Sequence, residues 1–202
     1  MRWDKLFDDL ESQLEQGLSA EELDLEAEEE RLRLGRLAIR DRLVAVHESE
    51  PAGSVYVIEV CLAAGIRLRL HPVTFGRDWF SADLMRDAGL PSHDQCIVPI
   101  AAIEGVVLSG AQLAASLAPE AAADGHPSLS SRLGLPFVLR DLCRRRRPLD
   151  LVLNSGELHG TLDRVGRDHV DLAIHERGMA RRQAAVREVR LVPLAAVLCV
   201  RL

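Results

Sequence analysis

Ile97-Val-Pro-Ile-Ala-Ala-Ile103 returns later in the chain as Leu191-Val-Pro-Leu-Ala-Ala-Val197, with the same apolar pattern around Pro and an Ala-Ala pair. Taken singly, each stretch is only an apolar run. Working upstream from each, Phe75-Gly-Arg-Asp-Trp79 is answered by Val165-Gly-Arg-Asp-His169, and Leu62-Ala-Ala-Gly65 by Leu153-Asn-Ser-Gly156. Further back, Ile39-Arg-Asp41 is answered by Leu139-Arg-Asp141. Four short matches in one order indicate a duplicated unit. The interval Gly65 to Gly76 is one residue longer than Gly156 to Gly166. Pro72 lies in that interval, and a β-bulge there would absorb the extra residue.

Around these anchors the hydrophobic period changes from helical to alternating. Ser54 to Leu62 is β-branched and apolar, Ile66-Arg-Leu-Arg-Leu70 alternates strictly, and Trp79 to Met85 is a further strand. Gln95 to Leu108 contains Pro99, so it reads as one bent strand or two short ones. The second series reads Leu149–Leu153, Leu158–Arg164, His169–His175 and Ala184 to Leu202. Each series follows a helix: one entering Val46, the other over Leu133 to Arg147, with Pro136 in its first turn and Pro148 beyond its end. The expected organisation is an acidic helical segment at 1–36, a helix plus small barrel at 37–108, an Ala/Ser/Gly/Pro linker at 109–132, and a second helix plus barrel at 133–202. The fold class expected is α+β, mainly β: two tandem small antiparallel barrels, each preceded by a helix.

Composition narrows the function. The first 50 residues carry 7 basic and 15 acidic side chains, and the whole chain has a formal net charge of −6. An acidic first quarter opposes broad nucleic-acid binding, which requires neutralising phosphates. No run is long and apolar enough for a membrane span, and Met1 to Leu10 has no signal-peptide character. Cys61, Cys96, Cys143 and Cys199 are scattered, without a C-x-x-C pair. Free thiols in a reducing cytoplasm are expected, with neither a disulfide framework nor a metal site.

The barrel pattern resembles the Sm-like (LSm) family. Gly160-Thr-Leu-Asp-Arg-Val-Gly-Arg-Asp-His-Val-Asp-Leu172 resembles that family's first motif, and Val-Pro-Leu-Ala-Ala-Val the approach to its second. The resemblance implies small five-stranded barrels. RNA-binding members end the first motif in a base-recognising Asn and supply an Arg-Gly pair from the second. Here Asp171 stands in the Asn place, with Ala82 or Asp83 in the first copy. Glu104-Gly105 replaces Arg-Gly in the first copy, and the second ends Val200-Arg201-Leu202. Acids in those places repel phosphate, so RNA binding at such a site is expected to be weak or absent. The whole chain, from Met1-Arg-Trp-Asp4 and Phe7-Asp-Asp-Leu-Glu11 onward, is also similar to a family of GC-rich Gram-positive bacteria. Its members are often labelled Fis-type transcriptional regulators. That label implies a DNA-binding helix-turn-helix, and no helix pair here has the sequence of one.

Four groups of residues carry candidate chemistry. His159, Asp163, Asp168, His169, Asp171 and His175 cluster in the second copy, but strand alternation scatters them. A solvated strand face is the commoner origin of such a cluster than zinc. Arg144, Arg145, Arg146 and Arg147 form the one dense basic run, suited to an acidic partner or phosphate, or simply to the negative end of a helix dipole. An intramolecular match to Glu26–Glu30 is a further option. Trp3, Leu6, Phe7, Leu10 and Leu14 make an apolar helical stripe, and Trp3 and Phe7 are its candidate docking residues. Asp78 and Asp168 follow Gly-Arg in turns, where Asp bonds local amides. No phosphate loop, G-x-S-x-G elbow or paired catalytic acids occur. The expectation is a cytoplasmic, non-enzymatic binding or regulatory module without cofactors. A protein partner or self-association is expected, and a nucleic-acid-associated regulator is the alternative.

Overall fold

The computed structural model describes residues 24–51, 53–85, 91–119, 129–178 and 186–202, with 91–93 described by backbone alone. The apolar stripe with Trp3 and Phe7 lies outside the described residues. The chain divides into two compact units, 1–42 and 43–202.

In the first unit, residues 24–36 form helix α1. Its exposed acids pair with arginines one turn on: Glu28 with Arg31 at 2.5 Å and Glu30 with Arg33 at 2.6 Å. Acid before base at this spacing supports a surface helix. The Arg33 hydrogen bond holds the Glu30 carboxyl below its usual range. The helix ends at residue 36, next to Gly35, and α2 (Ile39–Ser49) begins after residues 37–38.

The second unit is built on one antiparallel sheet of ten strands. They are β1 (Ile58–Leu62), β2 (Ile66–Phe75), β3 (Trp79–Met85), β4 (Pro91–Pro99), β5 (Ile103–Val107), β6 (Pro148–Leu153), β7 (Gly156–Val165), β8 (His169–Ile174), β9 (Glu188–Pro193) and β10 (Val197–Arg201). Among the described residues this unit also holds the helices α3 (Gly110–Leu117) and α4 (Leu135–Arg144). A Ser109–Gln112 capping box starts α3. The order across the sheet is β5-β1-β2-β3-β4-β10-β6-β7-β8-β9. It is the same five-strand order written twice, which is what the repeated motifs predict.

The expected pair of closed Sm-like barrels is not formed. Neither unit closes on itself: β4 pairs with β10 of the other repeat, and the sheet is open, ending in β5 and β9. The reason lies in β4 and β10. Cys96, Ile97 and Val98 on β4 and Cys199 and Val200 on β10 are apolar and buried. Joining these edges covers both at once and leaves β5 and β9 as the open ends of the sheet. The mainly-β, α+β character stands.

The repeats match in detail. Gly76 N–H donates to Trp79 O at 2.8 Å, and Gly166 N–H to His169 O at 2.8 Å. Ile100 N–H donates to Asp78 O at 2.9 Å, and Leu194 N–H to Asp168 O at 2.7 Å. One-residue bulges interrupt both hairpins at the same place, after Pro72 and after Leu162. The bulge is therefore common to both copies and does not absorb the extra residue. That residue sits in the first hairpin turn: Ala63–Gly65 connects β1 to β2, whereas only Asn154 and Ser155 connect β6 to β7. Ala64 and Gly65 both take positive φ there (61° and 70°), and the counterpart of Gly156 is Ile66 rather than Gly65. The helix match also fails in register. Ile39 opens α2 and is exposed, whereas Leu139 is mid-helix and buried.

Two cores flank the junction. Leu43 and Val46 of α2 enter the first core with Ile58, Val60, Leu70 and Phe80. Leu135, Leu139 and Leu142 of α4, spaced along one helical face, enter the second with Leu151, Leu162 and Leu172. Each core takes residues from the other repeat: Trp79 and Ile97 lie in the second, Val152, Leu198 and Cys199 in the first. The β2–β3 turn also holds the start of α4. Leu135 N–H donates to Asp78 Oδ1 at 2.7 Å, and both Arg77 N–H and Trp79 Nε1–H donate to Leu133 O at 2.9 Å.

Candidate functional site

The arginine run starts at the last residue of α4, Arg144, and the other three arginines lie beyond the helix, which ends earlier than the expected Arg147. Arg144 reaches Asp141 at 2.5 Å and Arg145 reaches the other oxygen of the same carboxylate at 2.6 Å. These two hydrogen bonds, Arg144 first, hold Asp141 below the ordinary carboxylate range. Arg146, at a positive φ of 53°, faces Asp163 of the β7 bulge at 3.7 Å. Arg147 N–H closes the helix on Leu142 O at 3.3 Å. Three of the four guanidinium groups thus already face acids, and the helix-end explanation accounts for much of the run. The pairs are exposed, so each contributes little and yields to a stronger anion.

The His and Asp residues of the second repeat divide into two sets. Asp168 and His169 pair with each other at 2.8 Å near solvent, and Asp171 faces Arg164 at 3.6 Å. His159 and His175 instead enter a polar cluster that alternation on β7 sets up, because Glu157, His159 and Thr161 share one face of that strand. His159 Nδ1–H donates to Asp150 at 2.6 Å. His175 is buried; its Nδ1–H donates to Glu176 O at 3.0 Å, so its Nε2 accepts from the Thr161 hydroxyl at 2.9 Å. Arg177 bridges Asp150, at 3.0 Å, and Glu157, which also accepts from Arg201 at 3.0 Å.

An Asp–His pair is the usual arrangement for orienting a general base. Here the working nitrogen, His159 Nε2, is sealed from solvent, as is Arg201 Nε, and neither has a hydrogen-bond partner among the described residues. As folded, the cluster ties β6, β7 and β10 together rather than presenting a base. Among the described residues, no three His, Cys, Asp or Glu side chains converge as metal ligands. The partners Asp150, Thr161 and Arg177 escape a reading of the sequence, because their meeting depends on strand register.

The four cysteines are free thiols. Cys96 and Cys199 are buried at the β4–β10 junction, where a hydrogen bond between them, together with burial, pushes the Cys96 thiol up. They are apolar filling there, not nucleophiles.

The outer edges are the remaining reactive feature. Among the described residues, β5 pairs only with β1, and β9 only with β8. Both carry exposed apolar side chains: Val107 on β5, and Val189 and Leu191 on β9, at 53 %, 58 % and 65 %. Proteins usually blunt such edges with lysine, proline or a covering segment. No helix among the described residues is long and apolar enough to cross a membrane. Comparison with protein-family models, curated proteins and solved structures gives no match to this chain.

Proposed function

We propose that this chain is a non-catalytic binding module of the cytoplasm that engages a protein partner by adding a strand to the ends of its sheet. The observation that carries this reading is the exposed apolar character of the two open edges, Val107 on β5 and Val189 with Leu191 on β9. Strand addition satisfies the free backbone groups of an edge, while alternate side chains provide selectivity. The sealed His159 and the thiols buried at the junction support a structural rather than a chemical use of the interior.

A second reading, a nucleic-acid-associated regulator acting through Arg144–Arg147, is supported by the exposure of those side chains and the weakness of surface ion pairs. The two are separated by paired titrations. A labelled peptide of residues 103–108 is added to the full chain, and RNA and DNA oligonucleotides are titrated at several salt concentrations. The edge reading expects saturable peptide binding that Leu191→Lys abolishes. No peptide binding, with salt-dependent nucleic-acid binding lost when Arg144–Arg147 become Ala, would overturn it.

A further inference from the structure

We infer that the outward face of α4 is a second docking surface, one that takes an acidic polypeptide segment carrying an apolar side chain. This goes beyond the edge reading and does not depend on it. Leu135, Leu139 and Leu142 turn inward to the second core, so Phe137, Arg140 and Arg144, spaced three and four residues apart, share the exposed side. Phe137 is 54 % exposed, while Tyr56, Phe75, Trp79 and Phe80, the other aromatic residues among those described, are all buried.

Charge gathers around that aromatic ring. Arg140 Nη2–H donates to Gly166 O at 3.2 Å and holds the β7–β8 turn beside the helix, which adds the exposed Arg167 to this surface. Residues 135–147 and 166–169 contain six arginines, Arg140, Arg144–Arg147 and Arg167, against Asp141 and Asp168, a net charge of +4. The whole chain carries −6, so everything outside these two stretches sums to −10. A positive surface on an otherwise acidic protein attracts an anionic partner and orients it.

The anions already seated here are carboxylates. Asp141 accepts from Arg144 at 2.5 Å and from Arg145 at 2.6 Å, one oxygen to each, and Asp163 faces Arg146 at 3.7 Å. The three arginine side chains stay exposed in these pairs, so a second carboxylate reaches the same guanidinium groups. Asp141 therefore competes with the partner for Arg144 and Arg145. A nucleic-acid strand brings a phosphate charge at every step, and Asp141, Asp168 and the acidic remainder of the chain stand against it. A short acidic segment meets few of those charges, because screening confines them to about 8 Å at physiological salt. Phe137 supplies the apolar anchor around which such a contact excludes water.

That competition gives a test in which one variant binds better. A labelled peptide of alternating Glu and Asp with one central Leu is titrated into the full chain at several salt concentrations. Saturable binding is expected, weakening as salt rises. Asp141→Asn frees Arg144 and Arg145 and is expected to tighten binding roughly two- to fivefold. Phe137→Ala is expected to weaken it about tenfold, and replacing the peptide's Leu by Ser to do the same. Melting temperatures of both variants are expected to stay near that of the parent, and a gain of affinity cannot arise from misfolding. No saturable binding overturns the inference, as does binding indifferent to Asp141→Asn or to Phe137→Ala. An RNA or DNA oligonucleotide that displaces the peptide and binds more tightly at the same salt also overturns it, because the ligand class is then phosphate. Leu191→Lys is expected to leave this binding unchanged. Its loss in that variant would place the acidic peptide on the sheet edge, which overturns the second surface and leaves the edge reading standing.

Discussion

Ile97 and Leu191 hold the same place in two copies of one five-strand unit, yet one is 3 % exposed and the other 65 %. Ile97 has β10 beside it and Leu191 has no strand there among the described residues. Truncation should therefore separate them. Ile97→Ala is expected to cost about 2–5 kcal/mol, through lost burial and a residual cavity. Leu191→Ala should stay within about 0.5 kcal/mol in a dilute sample. Chemical denaturation of both variants at low concentration measures the contrast; equal losses would mean that the junction does not bury Ile97.

Asp78 and Asp168 offer a second contrast between equivalent positions. Asp78 Oδ1 accepts the Leu135 N–H at the start of α4, a bond that crosses between repeats. Among the described residues, the Asp168 carboxylate pairs with the neighbouring His169 at 2.8 Å, near solvent. Asp78→Ala is expected to lower stability by about 1 kcal/mol, the usual cost of a lost helix-end acceptor. Asp168→Ala should leave the melting temperature unchanged. Thermal melts of the two variants decide it.

Gly160 tests the β7–β8 approach. A Cβ there would lie 2.3 Å from Ala173 O, a backbone atom with nowhere to go. Gly105 on β5 is open by comparison, with Cys61 Cβ at 4.0 Å as its nearest neighbour. Gly160→Ala is expected to destabilise by about 1–3 kcal/mol through overpacking, while Gly105→Ala has little effect. Denaturant midpoints compare them directly.

His47 predicts an acid-side loss of stability. Burial first, then the neighbouring His71, hold its pKa below the ordinary 6.5, with Glu48 opposing them. Its Nδ1 lies 3.0 Å from the Tyr56 hydroxyl, whose own pKa burial pushes up. The unfolded chain therefore takes up the His47 proton more readily than the folded one. This contribution is present above pH 6.5 and is lost as pH falls through the lower folded value. Melting temperature against pH should drop across that window, and His47→Gln should flatten the drop. An unchanged slope would place the titrating group elsewhere.

The duplication is legible because turn chemistry and apolar runs are local. Gly76 and Gly166 pack under the rings of Trp79 and His169, and the Pro-x-Ala-Ala segments form matching short turns, Ile100–Ala102 and Leu194–Ala196. Strand pairing between distant segments is not local. Nothing in Cys96-Ile-Val98 states whether its neighbour is β5 or β10, so closed barrels and one open sheet share the same alternation. The length difference misleads for a similar reason: Pro72 invites a bulge, but Leu162 has one without proline. The polar cluster is half visible, since His159 and Thr161 alternate on one strand, while Arg177 and Arg201 arrive from elsewhere.

The last strand in sequence, β10, is sixth across the sheet, with β4 on one side and β6 on the other. During synthesis, β1 to β5 emerge long before it, so the nascent first half carries an uncovered β4 edge while the second half is still being made. The apolar Cys96-Ile97-Val98 segment that later seals the middle of the sheet is, for that interval, without its strand partner, and an unpaired apolar edge of this kind favours association. Neighbouring ribosomes on one message would display that same edge side by side, and a chaperone that shields nascent strands would find its target there.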